Sequence, residues 1–166
     1  MKKIIVLATM LISTLGCAQK EETNFKKESL EYVLKTTEDK SITFQEIIKK
    51  HEGKTIFIEL WASWCSDCVK AMPEVKKLNQ TYGNKVVFVN LSFDKTVEKW
   101  IEGIDKYQVE GENYFIGDSM KGTFGKSLDV DWIPRYLIVD KTGKIVLYRA
   151  IEKDFDKIKE VLNKVK

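Results

Sequence analysis

Cysteine, histidine and proline are scarce in this chain of 166 residues, which contains three cysteines, one histidine and two prolines. A zinc site with four Cys and His ligands is excluded once Cys17, in the leader segment, is set aside, because only three such residues remain. A small fold stapled by several disulfides is excluded too, because two cysteines form only one bond. What remains is a single chemically notable pair, Cys65 and Cys68.

An excess of charge of one sign is also lacking. The chain has 28 basic and 25 acidic residues and a formal net charge of +3. Without Lys2 and Lys3, which belong to a segment that we expect to be removed, the net charge is +1. This balance argues against nucleic acid as a partner. Hydrophobic residues make up 43% of the chain, which predicts a packed globular domain rather than disorder.

The first residues have the pattern of an export signal. Lys2 and Lys3 precede an apolar run over residues 4–15. This run is too short for a membrane span of about 20 residues, and its length is typical of the hydrophobic region of a signal peptide. We therefore predict that the chain is exported to the periplasm or cell envelope, where disulfides persist.

Cys17 follows Gly16 directly after this run, and a small residue before Cys resembles a bacterial lipobox, although Thr14 departs from the usual pattern. The resemblance implies a mature chain that begins at a lipidated Cys17 and is tethered to the membrane, since stable anchoring takes more than one acyl chain. Ordinary cleavage after Ala18 is the alternative, and it would export the chain as well. The predicted division is a signal peptide over residues 1–16, a tether over 17–27 and a domain over 28–166.

Two kinds of apolar pattern alternate along the rest of the chain. The near-continuous apolar runs 55–62 and 85–92 predict strands buried on both faces. Apolar residues spaced by three and four predict a helix over 65–82 with a kink at Pro73. Helices between buried strands favour an α/β fold with parallel crossovers. The other predicted elements are strands over 29–35, 113–116, 135–140 and 144–150, and helices over 44–51, 95–107 with Asp94 as N-cap, 120–128 and 153–165.

The pair Cys65 and Cys68 stands where a buried strand passes into a helix. Residues three apart lie on one helix face, so a disulfide between them needs only a modest adjustment. At the helix N-terminus, unpaired backbone N–H groups favour the thiolate of Cys65, which is the nucleophilic form. Cys68, one turn further, is expected to be more buried and to resolve the mixed disulfide. A structural disulfide is the alternative, although so short a loop stabilises a fold little.

The charge of Asp67 bears on the direction of electron flow. A carboxylate at about 7 Å costs a thiolate roughly 0.6 kcal/mol in water and roughly 2.4 kcal/mol at an effective dielectric constant near 20. The helix N-terminus offsets this by about 0.3–1 kcal/mol. Asp67 therefore argues against a strongly oxidising pair and favours a reductant. The sequence has no metal, flavin or nucleotide motif, so no cofactor is expected, and His51 is expected to be a surface residue at a helix end.

The motif Trp64-Cys65-Ser66-Asp67-Cys68 after a buried strand resembles the active site of the thioredoxin superfamily. Pro73, five residues after the second Cys, and Ile133-Pro134, before a later strand, match the kinking proline and the cis-proline loop of that superfamily. The sequence 60–65 is similar to the exported TlpA/ResA-like branch, although Ala71 stands where some ResA-like reductases carry Glu. The resemblance implies a thioredoxin fold, with a central mixed sheet flanked by helices, an extra N-terminal strand and an inserted helix–strand segment.

The resemblance also implies roles for individual residues. Glu59 matches the buried acidic position of thioredoxin, where burial would raise its pKa and suit proton transfer with Cys68. A solvated position at a strand edge is the alternative for this residue. The backbone of Ile133, before Pro134, would pair with an extended substrate segment, and Trp64 would line the Cys face. Core positions are expected for Trp61, Trp100 and Trp132.

Together these features predict a thiol-disulfide oxidoreductase that exchanges disulfides with protein partners outside the cytosol, as a reductant. Its electrons would come from a membrane donor that the sequence does not name. One alternative is a non-catalytic binding module that retains the thioredoxin fold to dock an exported partner. A thiol peroxidase is a further alternative, and it is disfavoured because the predicted domain has no reactive cysteine outside the pair.

Overall fold

The computed structural model describes residues 23–165, so the predicted signal peptide, Cys17 and the first part of the predicted tether lie outside the described residues. Seven strands and six helices are present in this range. In chain order they are α1 (Lys27–Leu30), β1 (Val33–Thr36), β2 (Ser41–Thr43), α2 (Phe44–Lys50), β3 (Thr55–Trp61), α3 (Ser66–Tyr82), β4 (Val86–Ser92), α4 (Val97–Tyr107), β5 (Glu112–Phe115), α5 (Thr123–Ser127), β6 (Arg135–Val139), β7 (Ile145–Ala150) and α6 (Phe155–Val165).

The strands form one mixed sheet in the order β2-β1-β5-β4-β3-β6-β7. The central strand β3 pairs in parallel with β4 and antiparallel with β6, and β4 pairs in parallel with β5. The hairpin of β1 and β2 extends the sheet beyond β5, while α4 connects β4 to β5 as an inserted crossover. The structure thus confirms the predicted thioredoxin-like fold, including the extra N-terminal strand and the inserted helix–strand segment.

Alternate residues of β3 contribute to two apolar clusters on opposite faces of the sheet, and all seven residues of this strand are buried. Phe57 packs with Leu78 of α3 and Ile158 of α6 on one face. Ile58 belongs to the cluster on the other face, which includes Phe124 of α5 and residues of α2. The continuous apolar run therefore marks a strand that is covered on both sides, as predicted.

The strand predicted over residues 29–35 is wrong in its first half. The chain makes a short helical turn, α1, and the strand β1 begins only at Val33. The turn is stabilised because the backbone N–H of Ser29 and its hydroxyl both donate to the carbonyl oxygen of Lys26. An alternation of apolar residues over so few positions does not distinguish a strand from one turn of helix.

Part of the segment predicted as a tether packs on the domain. The carbonyl oxygen of Thr23 accepts a hydrogen bond of 2.9 Å from the backbone N–H of Ile145. The ring of Phe25 meets that of Phe44 edge to face, with centroids 4.9 Å apart. The domain therefore begins by about Thr23 rather than at residue 28. Within residues 23–165, no helix has both the length and the apolar character needed to cross a membrane.

His51, which we predicted at the surface, is buried. It caps the end of α2, and its Nε2 lies 3.0 Å from a carboxylate oxygen of Glu112 in β5. Burial opposes ionisation of Glu112, yet hydrogen bonds from Tyr114, Lys50 and His51 together lower the pKa of its carboxyl group to about 2. The prediction failed because this partner lies 61 residues away in the sequence. The part of the chain that the structure describes holds no cluster of three or more metal-ligating side chains.

Candidate active site

Cys65 is the N-cap of α3, immediately after the loop that leaves the central strand β3. Its Sγ accepts a hydrogen bond of 3.1 Å from the backbone N–H of Cys68, and the two residues form a disulfide with a Cα–Cα distance of 5.3 Å. Cys65 retains 6% of its surface, whereas Cys68 retains none. This asymmetry agrees with an outer, attacking cysteine and an inner, resolving one.

The loop that carries the second proline lies against the outer sulfur. The peptide bond between Ile133 and Pro134 is cis, as the resemblance implied. The carbonyl oxygen of Ile133 is 3.4 Å from the Sγ of Cys65. The tertiary structure therefore brings together two segments that are 68 residues apart in the sequence.

Two exposed tryptophans flank this loop and the cysteine in the sequence. Trp64 is 53% exposed, in agreement with its predicted place beside the cysteine. Trp61 and Trp100 are buried as predicted, but the core position predicted for Trp132 is wrong, because this side chain is 57% exposed. Trp132 directly precedes Ile133-Pro134, and this position in the sequence is the signal that could have placed it near the site.

The loop around Trp132 is held by its neighbour Asp131. The carboxylate of Asp131 contacts the guanidinium groups of Arg135 and Arg149 at 2.7 Å and 2.8 Å. The hydrogen bond from Arg135 is the main cause that lowers the pKa of this carboxyl group to about 2. Ile133, the residue after Trp132, is buried. The exposed indole therefore lies between the ion-paired Asp131 and the buried Ile133.

Glu59 lies in the middle of the sheet, where it is 1% exposed. Its neighbours across the strands are Asn90 of β4 and Tyr136 of β6, so a solvated place at a sheet edge is excluded. Burial raises the pKa of Glu59 to about 8 because a charged carboxylate is poorly solvated in the interior. Its Oε1 has no hydrogen-bond partner among the described residues. This carboxyl group can therefore hold or release a proton near neutral pH.

Asp94 is a functional candidate that sequence analysis missed. We predicted it as the N-cap of α4, but Thr96 has that role, with its hydroxyl accepting from Lys99. Asp94 is instead buried, and its carboxylate accepts hydrogen bonds from the backbone N–H and hydroxyl of Ser63 and from the hydroxyl of Ser92. It thus fixes the loop that leads to Cys65 against the end of β4.

Replacing Asp94 with Ala is expected to lower the free energy of unfolding by about 2–4 kcal/mol, because several buried donors lose a charged acceptor. Urea denaturation of the oxidised protein measures this change. The matched control is Asp156→Ala, since the side chain of Asp156 is fully exposed and its nearest cation, Lys159, is 3.6 Å away. A loss no larger than that of the control would show that Asp94 does not hold the loop.

Comparisons with known proteins agree with this geometry. The Redoxin family model matches residues 23–163. Among curated proteins, the thiol-disulfide oxidoreductase ResA of Bacillus thuringiensis strain Al Hakam is 28% identical over 153 residues, which cover 89% of this chain and 82% of that protein. The chloroplastic thioredoxin-like protein HCF164 of Arabidopsis thaliana is 30% identical over 112 residues, covering 68% of this chain and 41% of that protein.

Solved structures show the same fold. A protein of Bacteroides vulgatus described as a thiol-disulfide oxidoreductase superposes with a TM-score of 0.66 at 28% identity, covering 80% of this chain and 84% of that one. A Chlorobium tepidum protein described as the thiol:disulfide interchange protein DsbE superposes with a TM-score of 0.70, covering 88% and 99%, and at 16% identity it supports the fold alone. The chain therefore belongs to the Redoxin family, as a ResA-like thiol-disulfide oxidoreductase of the thioredoxin superfamily.

Proposed function

We propose that this protein reduces disulfides of protein partners outside the cytosol, with Cys65 as the attacking thiol and Cys68 as the resolving thiol. The observation that carries the proposal is the position of the Cys65 sulfur. It lies at the N-terminus of α3, bonded to Cys68 and 3.4 Å from the carbonyl oxygen of Ile133. In this role, Ile133, Pro134 and Trp64 position the substrate.

The proposed cycle balances in electrons and protons. The thiolate of Cys65 attacks one sulfur of the substrate disulfide, and the other substrate sulfur leaves as a thiolate and takes a proton from solvent. Cys68 then passes its proton to the carboxylate of Glu59 and attacks the Cys65 sulfur. The second substrate sulfur leaves as a thiolate, so the substrate gains two electrons and the Cys65–Cys68 disulfide forms. A membrane donor would return the pair to the reduced state.

The direction of electron flow follows from how well the thiolate is stabilised. The backbone N–H of Cys68 and the N-terminus of α3 favour the thiolate of Cys65. The carbonyl oxygen of Ile133 and the carboxylate of Asp67, in the first turn of α3, oppose it. A less stable thiolate favours the disulfide and lowers the reduction potential. This opposition supports a reductant.

Export and lipidation belong to the same proposal. The basic residues, the apolar run and Gly16-Cys17 at the start of the chain support a signal peptide over residues 1–16 and a lipid anchor on Cys17. A redox-active cysteine pair suits this location, since an exported protein meets disulfide-bonded partners. The lipid would keep the domain near a membrane electron donor.

The reduction potential of the Cys65–Cys68 couple tests the proposal. It is measured by equilibration with dithiothreitol and glutathione buffers, and we expect a value of about −200 to −300 mV, in the range of reducing thioredoxin-like proteins. The same protein should catalyse the reduction of insulin by dithiothreitol. A potential above roughly −150 mV would overturn the reductant role. A well-folded protein that leaves insulin reduction at the uncatalysed rate would overturn disulfide exchange itself.

Replacing Trp132 with Ala should raise the KM for insulin about five- to thirtyfold and leave kcat nearly unchanged. Trp132 is exposed and directly precedes Ile133, whose carbonyl oxygen lies 3.4 Å from the Sγ of Cys65. A docking protein would bury its indole, and such anchors contribute about 1–2 kcal/mol to binding. The small aromatic disulfide dithionitrobenzoate serves as the control substrate, because it is too small to need this contact. An equal loss with both substrates would mean that the loop, rather than docking, has been disturbed. Val146→Ala, on the exposed face of β7, controls for loss of any surface apolar group.

A further inference from the structure

A cavity of about 390 Å³ lies between α3 and the end of α4, away from the cysteines. Neither Cys65 nor the two exposed tryptophans line it, so it is separate from the surface where a protein substrate would dock. Its volume falls in the range of small-molecule sites, which begins at about 300 Å³. Its walls are mainly apolar, with Val69, Met72, Pro73, Val75, Tyr107 and Val109 among the lining residues.

Two buried polar side chains, Glu59 and Asn90, also line this cavity. They are neighbours on β3 and β4, and each is only 1% exposed. The Nδ2 of Asn90 donates to the carbonyl oxygen of Glu110 at 2.9 Å, which leaves its Oδ1 as an acceptor without a partner. The Oε1 of Glu59 is also without a partner. Neither oxygen has a partner among residues 23–165, and buried polar atoms are normally satisfied, so both are available to accept a hydrogen bond from an occupant of the cavity.

Three of the charged residues around the cavity already have partners on the protein. Lys76 is 3.5 Å from a carboxylate oxygen of Glu110, and the Nδ2 of Asn79 donates to the same carboxylate at 2.9 Å. Lys106 lies over the ring of Tyr107, with its Nζ 5.1 Å from the centroid. An anionic ligand would place its oxygens against the acceptors of Glu59 and Asn90. A cationic ligand would meet Lys76 and Lys106, which also line the cavity, so the lining favours an uncharged occupant.

We propose that this cavity binds a small neutral molecule with an apolar ring or chain and one N–H or O–H group. The apolar part lies among the valines, Met72 and Pro73, and the donor bonds to Glu59 or Asn90. A ligand of this kind satisfies an unpartnered acceptor and buries its own apolar surface in one step. The cavity shares Glu59 with the proposed redox function, in which this residue accepts the proton of Cys68. Binding to the oxidised protein is measured without turnover, so its failure is distinguishable from a failure of disulfide exchange.

Indole is a suitable probe, and benzothiophene, which has the same shape without the N–H, is its matched control. Both are titrated into the oxidised protein while backbone amide shifts are followed by NMR. We expect indole to bind with a Kd below a few millimolar and to shift amides of residues 69–79 and 106–110. Benzothiophene should bind at least fivefold more weakly, since it cannot donate to the two acceptors.

Val109→Phe and Val75→Phe each fill the cavity, from the side of α4 and from α3 respectively. Two variants are made so that the test still stands if one of them fails to fold, and each folded variant should bind indole at least tenfold more weakly. Val146→Phe introduces the same side chain on β7, outside the cavity, and should leave the Kd unchanged. The proposal is overturned if indole causes no shifts up to its solubility, if its shifts centre on residues 64 and 132, or if it binds the cavity-filling variants as well as the wild type. Equal affinity for benzothiophene would overturn the hydrogen-bonding part.

Discussion

Replacing Cys65 with Ser should abolish the catalysis of insulin reduction. The sulfur of Cys65 is the one at the helix N-terminus that keeps some exposure, whereas Cys68 has none. A serine hydroxyl in that place does not attack a disulfide, and Cys68 cannot reach a protein substrate directly. We expect a loss of at least about 1,000-fold, to the uncatalysed rate. The measurement is the turbidity assay of insulin reduction in dithiothreitol.

Cys68→Ser supplies the complementary result. This variant keeps the attacking thiol, so it should form a mixed disulfide with a protein substrate and fail to release it. Non-reducing electrophoresis and mass spectrometry would show the trapped complex. Near-UV circular dichroism checks that each variant is folded. If Cys65→Ser retained activity, or trapped a mixed disulfide on its remaining Cys68, the assigned roles would be reversed.

Glu59→Gln is expected to slow resolution of the mixed disulfide about 100-fold or more at pH 7, in the range typical of a lost general base. Because burial raises the pKa of Glu59 to about 8, the wild-type rate of this step should increase as the pH rises towards 8. The Gln variant lacks the carboxyl group that titrates there, so the contribution of Glu59 to the pH profile should disappear. Stopped-flow release of the substrate thiol measures the rate. An unchanged profile would show that Cys68 loses its proton by another route.

The same carboxyl group should make stability depend on pH. Between the ordinary pKa of 4.5 and about 8, the folded state holds a proton on Glu59 that the unfolded state has released. The free energy of unfolding therefore decreases as the pH rises through this window, by roughly 4 kcal/mol between pH 5 and 8. Glu59→Gln should remove that decrease. Urea denaturation of both proteins at several pH values measures this decrease. If the free energies of unfolding of the wild type and the variant changed with pH in parallel, Glu59 would not have a raised pKa.

The long apolar and helical patterns predicted most of the architecture. β3, β4 and α3 appear within a residue of their predicted limits because strands buried on both faces have a composition that few other structures share. The helix predicted from residue 44 also begins there, because the capping box formed by Thr43 and Glu46 consists of two local hydrogen bonds. The short elements at the start of the domain were less predictable, because a few residues adopt helix or strand according to what they pack against.

Asp94 and His51 were misplaced because each has a partner that is distant in the sequence. Asp94 binds Ser63 rather than capping α4, and His51 lies against Glu112. None of these contacts has a signature in the local pattern.

By itself, the sequence determined the central strand and the helix that begins at the cysteine pair, because each depends on neighbouring residues and on simple periodicity. The resemblance of its motifs indicated the family and the buried position of Glu59. Only the tertiary structure decided which distant groups meet. It brought the carbonyl of Ile133 to the sulfur of Cys65, set Asp94 beneath the loop before that cysteine, and left two unpartnered acceptors at the cavity between α3 and α4. Sheet order and helix packing fix these distances, and both arise from the balance of contacts over the whole chain.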